Sequence, residues 1–159
     1  MPASLNMHIR GYQPPDFDRL YHIDQICFEP GISYSHSELA FYVRDPRSAV
    51  KVAELSSEIA GFVLGRVEQD SLAHVITLDV IPEARRQGVG TLLMRAIHRE
   101  FLRRNAMVSV LEVSVENAGA RRFYERLKYQ YVCILPGYYA GRIDACRMFC
   151  RLKESKLCG

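Results

Sequence analysis

The sequence lacks several patterns that would place the chain in other classes of protein. No run of apolar residues is long enough to span a bilayer, and no signal-peptide core follows the start, so we expect a cytoplasmic protein without a membrane partner. The net charge of +3 is too small to indicate a general nucleic-acid binder. No repeat, linker or low-complexity segment divides the 159 residues, which therefore predict a single domain.

The cysteines do not form a pattern that binds zinc or builds a disulfide framework. There are five of them, an odd number, and no two stand in a Cys-x-x-Cys pair. Cys146, Met148, Cys150 and Leu152 recur at every second position, as on the buried face of a strand. We therefore expect core packing and no metal site, because a buried free cysteine behaves as a small hydrophobe. Cys158 has no assigned role.

The sequence does contain a mixed order of strands and helices. Residue patterns predict strands over 5–11, 50–55, 59–67, 73–81, 108–115, 129–135 and 145–152. Helices are predicted over 17–27 with Asp16 as N-cap, from the Ser35 and Glu38 capping box to about 44, over 88–104, and over 118–127. This order indicates an α/β or α+β sandwich around a mixed sheet, with a parallel crossover where a helix joins the fourth and fifth strands.

The helix over 88–104 is amphipathic, with arginines on the face expected to meet water. The residues expected to face inward are Leu92, Leu93, Ala96, Ile97 and Phe101.

A glycine-containing turn precedes this helix and is a candidate phosphate site. Glycine lets the backbone approach a ligand closely, and the first N–H groups of a helix are unpaired and carry the positive end of its dipole. The alternative is an ordinary strand-to-helix turn with solvated arginines. A P-loop is excluded, because no Gly-Lys-Ser/Thr follows, and the dinucleotide-binding pattern is incomplete. The candidate residues are Arg85, Arg86, Gln87, Gly88, Val89, Gly90 and Thr91.

Two motifs in order resemble those of the GNAT acetyltransferase superfamily. Arg-x-x-Gly-x-Gly after residues 79–82 resembles the pyrophosphate-binding signature of that superfamily. Residues 111–117, followed by Ala120 and 123–127, resemble its fifth strand and fourth helix. The resemblance implies a GNAT-like mixed, mostly antiparallel sheet of about seven strands with about four helices. It also implies acetyl-CoA as co-substrate, with Val80 contributing a backbone N–H to the oxyanion and Asn117 a hydrogen bond to the pantetheine arm.

Within the superfamily, the chain resembles protein N-terminal acetyltransferases, including those of bacterial ribosomal proteins. Glu112 combined with Tyr124, residues 28–30, and Tyr138 with Tyr139 in the expected loop between the last two strands carry this resemblance. Where the bacterial ribosomal enzymes usually have Pro-Trp-Ser, this chain has Gly-Ile-Ser-Tyr-Ser at 31–35. The resemblance implies that Tyr138 and Tyr139 hold the backbone of the substrate. On the opposite wall, Phe28, Ile32 and Tyr34 would select its first side chain.

Three residues are candidates for proton transfer. A carboxylate can take the proton of an attacking amine, and Glu112 lies in an apolar strand where a charge is expensive; it is also open that Glu112 points to water. Tyr124 can protonate the departing thiolate or pack as an aromatic at the edge of the core. His74 is a second candidate base, or a structural histidine of the strand.

These observations predict an acetyl-CoA-dependent acetyltransferase acting on the N-terminal α-amine of a protein or peptide, with a ribosomal protein among the candidate partners. A lysine side chain or small-molecule amine is the alternative acceptor, and a non-catalytic acyl-CoA-binding module is a further alternative. A lysine amine, with a pKa of about 10.4 against about 7.7–8.0 for a peptide α-amine, would favour acidic residues lining the acceptor cleft. A peptide substrate would instead favour paired tyrosines and an apolar pocket for its first residue, and the sequence has the latter pattern. We expect no specific nucleic-acid partner, and a monomer or weak homodimer.

Overall fold

The computed structural model describes residues 6–153. Within that range it has seven strands in one sheet, in the order β1-β2-β3-β4-β5-β7-β6, and four α-helices. The strands are β1 Met7–Gly11, β2 Ser48–Leu55, β3 Glu58–Val67, β4 Leu72–Val80, β5 Val108–Ser114, β6 Gln130–Tyr139 and β7 Ile143–Arg151. The helices are α1 Phe17–Cys27, α2 His36–Arg44, α3 Val89–Arg103 and α4 Ala118–Arg126.

The pairing of the strands confirms the predicted mixed, mostly antiparallel sheet. β1 pairs with β2, β5 with β7, and β6 with β7, all antiparallel. β4 and β5 are parallel, and α3 supplies the predicted crossover between them. A parallel pair requires such a long connection, because a short turn can only reverse the chain.

The two N-terminal helices begin in different ways. Ser35 and Glu38 form the predicted capping box of α2: Ser35 Oγ accepts from the Glu38 N–H at 3.1 Å, and Glu38 Oε2 from the Ser35 N–H at 2.8 Å. Asp16 occupies the N-cap position of α1, as predicted, but its side chain makes no capping hydrogen bond. Its carboxylate instead accepts from Arg10 and from the Gln13 N–H at 2.8 Å, because Pro14–Asp16 form a 3₁₀ turn just before the helix.

The fold divides into two compact units. The first comprises the described chain up to Gly65 together with Thr77–Ile97. Its core contains Leu20 and Ile23 of α1, Leu39 of α2 and Phe62 of β3. Beside Phe62, Gly61 lies so close to β4 that a Cβ there would be 2.6 Å from the Asp79 carbonyl oxygen, so this approach of β3 to β4 requires glycine.

The second unit comprises Arg66–Ile76 together with the described chain from His98 onward. The predicted burial of Cys146, Met148, Cys150 and Leu152 is confirmed. Within residues 6–153 no group of three or more metal-ligating side chains is present. Cys158 lies outside the described residues. The expectation that the whole chain forms one domain stays a prediction.

Four of the five residues predicted to face inward from α3 are buried, and one is not. Leu92 is 37% exposed, whereas Met94, which was not predicted, is fully buried. The buried stripe runs through Leu93, Met94 and Ile97 at helical spacing, and Leu92 lies beside it. Among the described helices, none has the length and apolar character needed to cross a membrane.

Candidate active site

In the first unit, the glycine turn has a backbone that only a residue without a side chain adopts freely. Gly88 has φ +85°, and a Cβ built on it meets no atom within 4 Å. The space beside Gly88 is therefore open, and α3 begins at the next residue, Val89. The amides of the first turn have no partner within the helix and point toward this end, so the turn suits a pyrophosphate.

The polar side chains of the turn help to close it. Arg85 Nε donates to the Val80 carbonyl oxygen at 2.9 Å, and Gln87 Nε2 donates to the Glu83 carbonyl oxygen at 3.1 Å. Arg85, Arg86 and Gln87 are all exposed, so both guanidinium groups still contribute positive charge at the surface of the turn. Gly90 and Thr91 lie in the first turn of α3, as predicted.

The predicted acceptor wall, also in the first unit, is a turn after α1. Phe28, Ile32 and Tyr34 are all half-buried. The Ile32 N–H donates to the Glu29 carbonyl oxygen at 3.0 Å and closes the turn. The Tyr34 ring lies edge-on to Tyr42 of α2, with the ring centres 5.7 Å apart. One side of the Tyr34 ring is thus held by α2.

In the second unit, three side chains of neighbouring strands form a charged cluster. His74 Nε2 lies 2.6 Å from Glu112 Oε2, and Arg147 Nη2 donates to Glu112 Oε1 at 2.9 Å. Glu112 and Arg147 are direct partners in the β5–β7 register. The Glu112 side chain is only 5% exposed, whereas that of His74 is 22% exposed. The alternative that Glu112 points to water is therefore excluded, and His74 is its accessible neighbour.

The electrostatics of the cluster keep Glu112 ionised. Burial raises the pKa of Glu112, but the hydrogen bonds and charges of His74 and Arg147 outweigh burial and leave that pKa below its ordinary value. An ionised carboxylate can only accept hydrogen bonds, so His74 Nε2 carries a hydrogen toward it. In a neutral imidazole, Nδ1 is then the nitrogen that can take up a proton.

Tyr138 and Tyr139 lie beside this cluster, but not in a loop. The prediction that they occupy the connection between the last two strands is wrong, because β6 continues to Tyr139 through a register shift after Leu135. Their rings meet edge to face with centres 4.9 Å apart. Tyr138 is exposed and Tyr139 half-buried. Burial raises the pKa of Tyr139, and the nearby Glu112 carboxylate adds to that rise.

The remaining predicted residues of the second unit lie at α4. Asn117 caps the helix, with Oδ1 accepting from the Ala120 N–H at 3.1 Å. The Tyr124 ring packs edge-on against Phe123 and Tyr129, with centres 5.2 and 5.8 Å away. Tyr129 is itself fixed by 2.7 Å hydrogen bonds to Ser109 Oγ and His98 Nε2. The Tyr124 ring therefore has a defined position, and its role as an acid stays a prediction.

Arg147 is the member of the cluster that sequence reasoning missed. The predicted alternation of β7 buries Cys146 and Met148 and so places Arg147 on the other face. The alternation therefore predicts on which face of β7 Arg147 lies. Its position opposite Glu112 follows only from the β5–β7 register, which the sequence does not reveal.

Comparison with known proteins gives consistent matches. The model of the acetyltransferase (GNAT) family matches residues 17–129. An uncharacterized N-acetyltransferase of Methanocaldococcus jannaschii is 32% identical over 151 residues, covering 94% of this chain and 95% of that protein. An N-alpha-acetyltransferase of Sulfurisphaera tokodaii is 28% identical over 149 residues, covering 86% and 88%. The crystal structure of the ribosomal-protein-S18-alanine N-acetyltransferase from Escherichia coli superposes with a TM-score of 0.84 at 25% identity, covering 97% of this chain and 99% of that one.

Proposed function

The chain belongs to the acetyltransferase (GNAT) family and is an acetyl-CoA-dependent N-acetyltransferase, and on that premise we propose that its acceptor is the N-terminal α-amine of a protein or peptide. Two similarities support this acceptor. The relative from Sulfurisphaera tokodaii is named an N-alpha-acetyltransferase, and the similar structure from Escherichia coli acts on the alanine of ribosomal protein S18. A ribosomal protein is accordingly one candidate acceptor.

The observation that carries the proposal is the hydrogen bond between His74 and Glu112. An amine attacks a thioester only as the free base, and the His74 imidazole can accept the proton that the amine must lose. An α-amine, with a pKa of about 8, needs less help to lose that proton than a lysine amine, with a pKa of about 10.4. We assign His74 Nδ1 as the proton acceptor. Glu112 orients the ring through Nε2 and stabilises the imidazolium, and Arg147 keeps Glu112 ionised.

The other residues have roles in binding and in the departure of the thiolate. The amides of residues 88–91 bind the pyrophosphate of acetyl-CoA, with Arg85 and Arg86 adding charge. Asn117 binds the pantetheine arm, and the backbone N–H of Val80 stabilises the oxyanion. The Tyr124 hydroxyl donates a proton to the departing thiolate, which leaves as coenzyme A thiol while the acetyl carbon bonds to the amine nitrogen.

The peptide is recognised by aromatic side chains. Tyr138 and Tyr139 present apolar rings and hydroxyl groups side by side on β6, a combination suited to holding an extended backbone. Phe28, Ile32 and Tyr34 form the wall that selects the first side chain of the acceptor. Because the wall is apolar with one hydroxyl, we expect small or apolar first residues to be favoured over charged ones.

The acceptor is tested by acetyl transfer to short peptides that differ only in the first residue. We expect transfer to free N-termini and none to N-terminally blocked peptides that contain lysine. In the Tyr138→Ala/Tyr139→Ala double variant, the KM for the peptide should rise by about tenfold or more, because two hydrogen-bonding anchors worth about 1 kcal/mol each are lost. The KM for acetyl-CoA should stay unchanged. Faster transfer to a blocked lysine peptide or a polyamine than to any free N-terminus would contradict the proposal.

A further inference from the structure

Two aspartates of the first unit are buried although no proposed catalytic step uses them. Asp24 of α1 is 0% exposed and Asp79 of β4 is 1% exposed. Isolated buried carboxylates are expensive, so such groups require partners. Asp24 contacts the turn that carries Phe28, Ile32 and Tyr34 through the Tyr34 N–H, and Asp79 lies against Asp24.

The hydrogen bonds of the two carboxyl groups leave one oxygen of each without a donor. Asp24 Oδ2 accepts from the Tyr34 N–H at 2.7 Å, and Asp79 Oδ1 accepts from the Thr77 hydroxyl at 2.5 Å. Asp24 Oδ1 and Asp79 Oδ2 are buried and have no donor among the described residues. The two side chains are within hydrogen-bonding reach of each other. One proton between these two oxygens satisfies both, whereas two bare carboxylates would repel.

The surroundings place that proton on Asp79. Burial raises the pKa of Asp79 well above its ordinary value, and the negative charge of Asp24 adds to the rise. Burial also raises the pKa of Asp24, but the Tyr34 amide and the hydrogen bond with Asp79 oppose that rise. Asp24 is therefore the ionised partner and accepts from the neutral Asp79.

Few other ionisable groups face the pair. Arg85, from the turn before α3, lowers the pKa of Asp79 without reversing the effect of burial. Cys27, on α1, has its own thiol pKa raised by burial to about 11 and is neutral near pH 7. From β3, the residue that approaches Asp79 is Gly61, which has no side chain.

The pair determines where the acceptor wall lies. Both backbone polar groups of Tyr34 are hydrogen-bonded to side chains of α1: its N–H donates to Asp24, and its carbonyl oxygen accepts from Gln25 Nε2 at 2.8 Å. One residue past Asp79, the Val80 carbonyl oxygen accepts from Cys27 Sγ at 3.4 Å. The end of β4, the end of α1 and Tyr34 are thus joined through Asp24 and its neighbours.

We propose that Asp24 and Asp79 form a positioning pair that uses one shared proton to hold the turn of Phe28, Ile32 and Tyr34, and thereby sets the affinity for the first residue of the acceptor. The role in acceptor binding rests on the proposed function. When Asp79 loses its proton, two buried negative charges face each other and the Tyr34 end of the turn is released. The KM for the acceptor should therefore rise with pH above the pKa of the pair.

Asparagine substitutions distinguish the two members of the pair. In Asp79→Asn the amide donates to Asp24 and its oxygen still accepts from Thr77, so the variant imitates the protonated acid without titrating. We expect its acceptor KM near neutral pH to match that of the wild type and its alkaline rise in KM to vanish. Asp24→Asn places an amide donor against protonated Asp79 and should raise the acceptor KM at all pH values. The KM for acetyl-CoA should be unchanged in both variants.

Two results would overturn the proposal. An alkaline rise in acceptor KM that is the same in Asp79→Asn as in the wild type would overturn the shared proton. A change in kcat and in both KM values together would overturn the positioning role. Asp70→Asn, an exposed aspartate in the β3–β4 turn, is the control for the charge change.

Thermal unfolding tests the shared proton without any acceptor. A group whose folded-state pKa is raised contributes stability that is complete below its unfolded-state pKa and is lost as pH rises through the folded-state pKa. The Tm of the wild type should therefore fall relative to that of Asp79→Asn as pH increases from about 4. Parallel Tm curves would overturn the proposal. If no peptide is acetylated but the curves diverge, the proposed acceptor is wrong and the shared proton stands.

Discussion

The surroundings of two buried acids on neighbouring strands of the sheet shift their pKa values in opposite directions. Glu112 of the second unit is contacted by His74 and Arg147, and its pKa lies below the ordinary value. Asp79 of the first unit is hydrogen-bonded to a second acid and a threonine, and its pKa lies far above. The surroundings of Glu112 therefore favour its charged form, and those of Asp79 favour its neutral form.

The difference teaches what each buried acid can do. A carboxylate that is kept ionised by the Arg147 guanidinium and by hydrogen bonds can stabilise a cation that forms during the reaction, such as the imidazolium of His74. A neutral acid bonded to an anion gives a short, directional contact and is suited to holding structure. Their stabilising effects also have opposite pH dependence: that of Glu112 is lost as pH falls through its folded-state pKa, and that of Asp79 as pH rises.

Removal of the ionised charge is expected to have the largest effect. Glu112→Gln keeps the size of the side chain but no longer fixes the hydrogen on His74 Nε2, so kcat should fall by about 10²–10⁴-fold near neutral pH. More of the activity should return at high pH, where the acceptor amine is already free. Asp79→Asn, the matched change in the first unit, should leave kcat near the wild-type value. Equal kcat values for the two variants would remove the contrast.

A second prediction compares two glycines with the same backbone strain, one in each unit. Gly88 and Gly141 both have positive φ and open space where a Cβ would stand. Valine at either position is strained by roughly 1–3 kcal/mol, so both variants should lose similar stability. Only Gly88→Val should also lose acetyl-CoA affinity, by about tenfold or more, because its amides would turn away from the pyrophosphate. Calorimetry of acetyl-CoA binding to the folded variants measures this difference, and equal affinities would refute the phosphate site.

The smallest effect is expected when Glu112 keeps its charge but loses one partner. Arg147→Met removes a hydrogen bond that lowers the pKa of Glu112, so activity that needs the ionised form should be lost at a higher pH than in the wild type. Near neutral pH the loss in kcat should be about tenfold or less. Arg147→Lys should restore part of the shift. Arg151→Met, an exposed change on the same strand, is the control, and an unshifted acid limb in Arg147→Met would contradict the role of Arg147.

Most elements of the fold could be predicted because their signals are local. The capping box of Ser35 and Glu38, and the alternation of Cys146, Met148 and Cys150, depend on residues within a few positions of one another. β6 was predicted too short because Pro136 and Gly137 are typical of a turn. In the structure an edge strand accommodates both residues: Gly137 has φ +63°, and its N–H donates to Asp144 at 2.8 Å.

The candidate site could be predicted only in part, because its chemistry depends on pairing over long distances along the chain. Sequence reasoning named His74 and Glu112 as separate candidates, and their hydrogen bond joins residues 38 positions apart. Arg147 required the register of β7 against β5. The Asp24–Asp79 pair required α1 to pack against β4, although an aspartate in the apolar run of 78–81 was a signal that a partner had to exist.

The proline in β6 has a consequence for growth of the sheet. β6 is an outer strand of ten residues, and Tyr131, Val132 and Ile134 on it are exposed. Such an edge is a template on which strands of other molecules can add and start aggregation. Pro136 has no amide hydrogen to donate, and the register shift between Leu135 and Tyr139 interrupts the regular edge that an added strand would need. Pro136 and Gly137, because of which β6 was predicted too short, thus limit self-association along its edge.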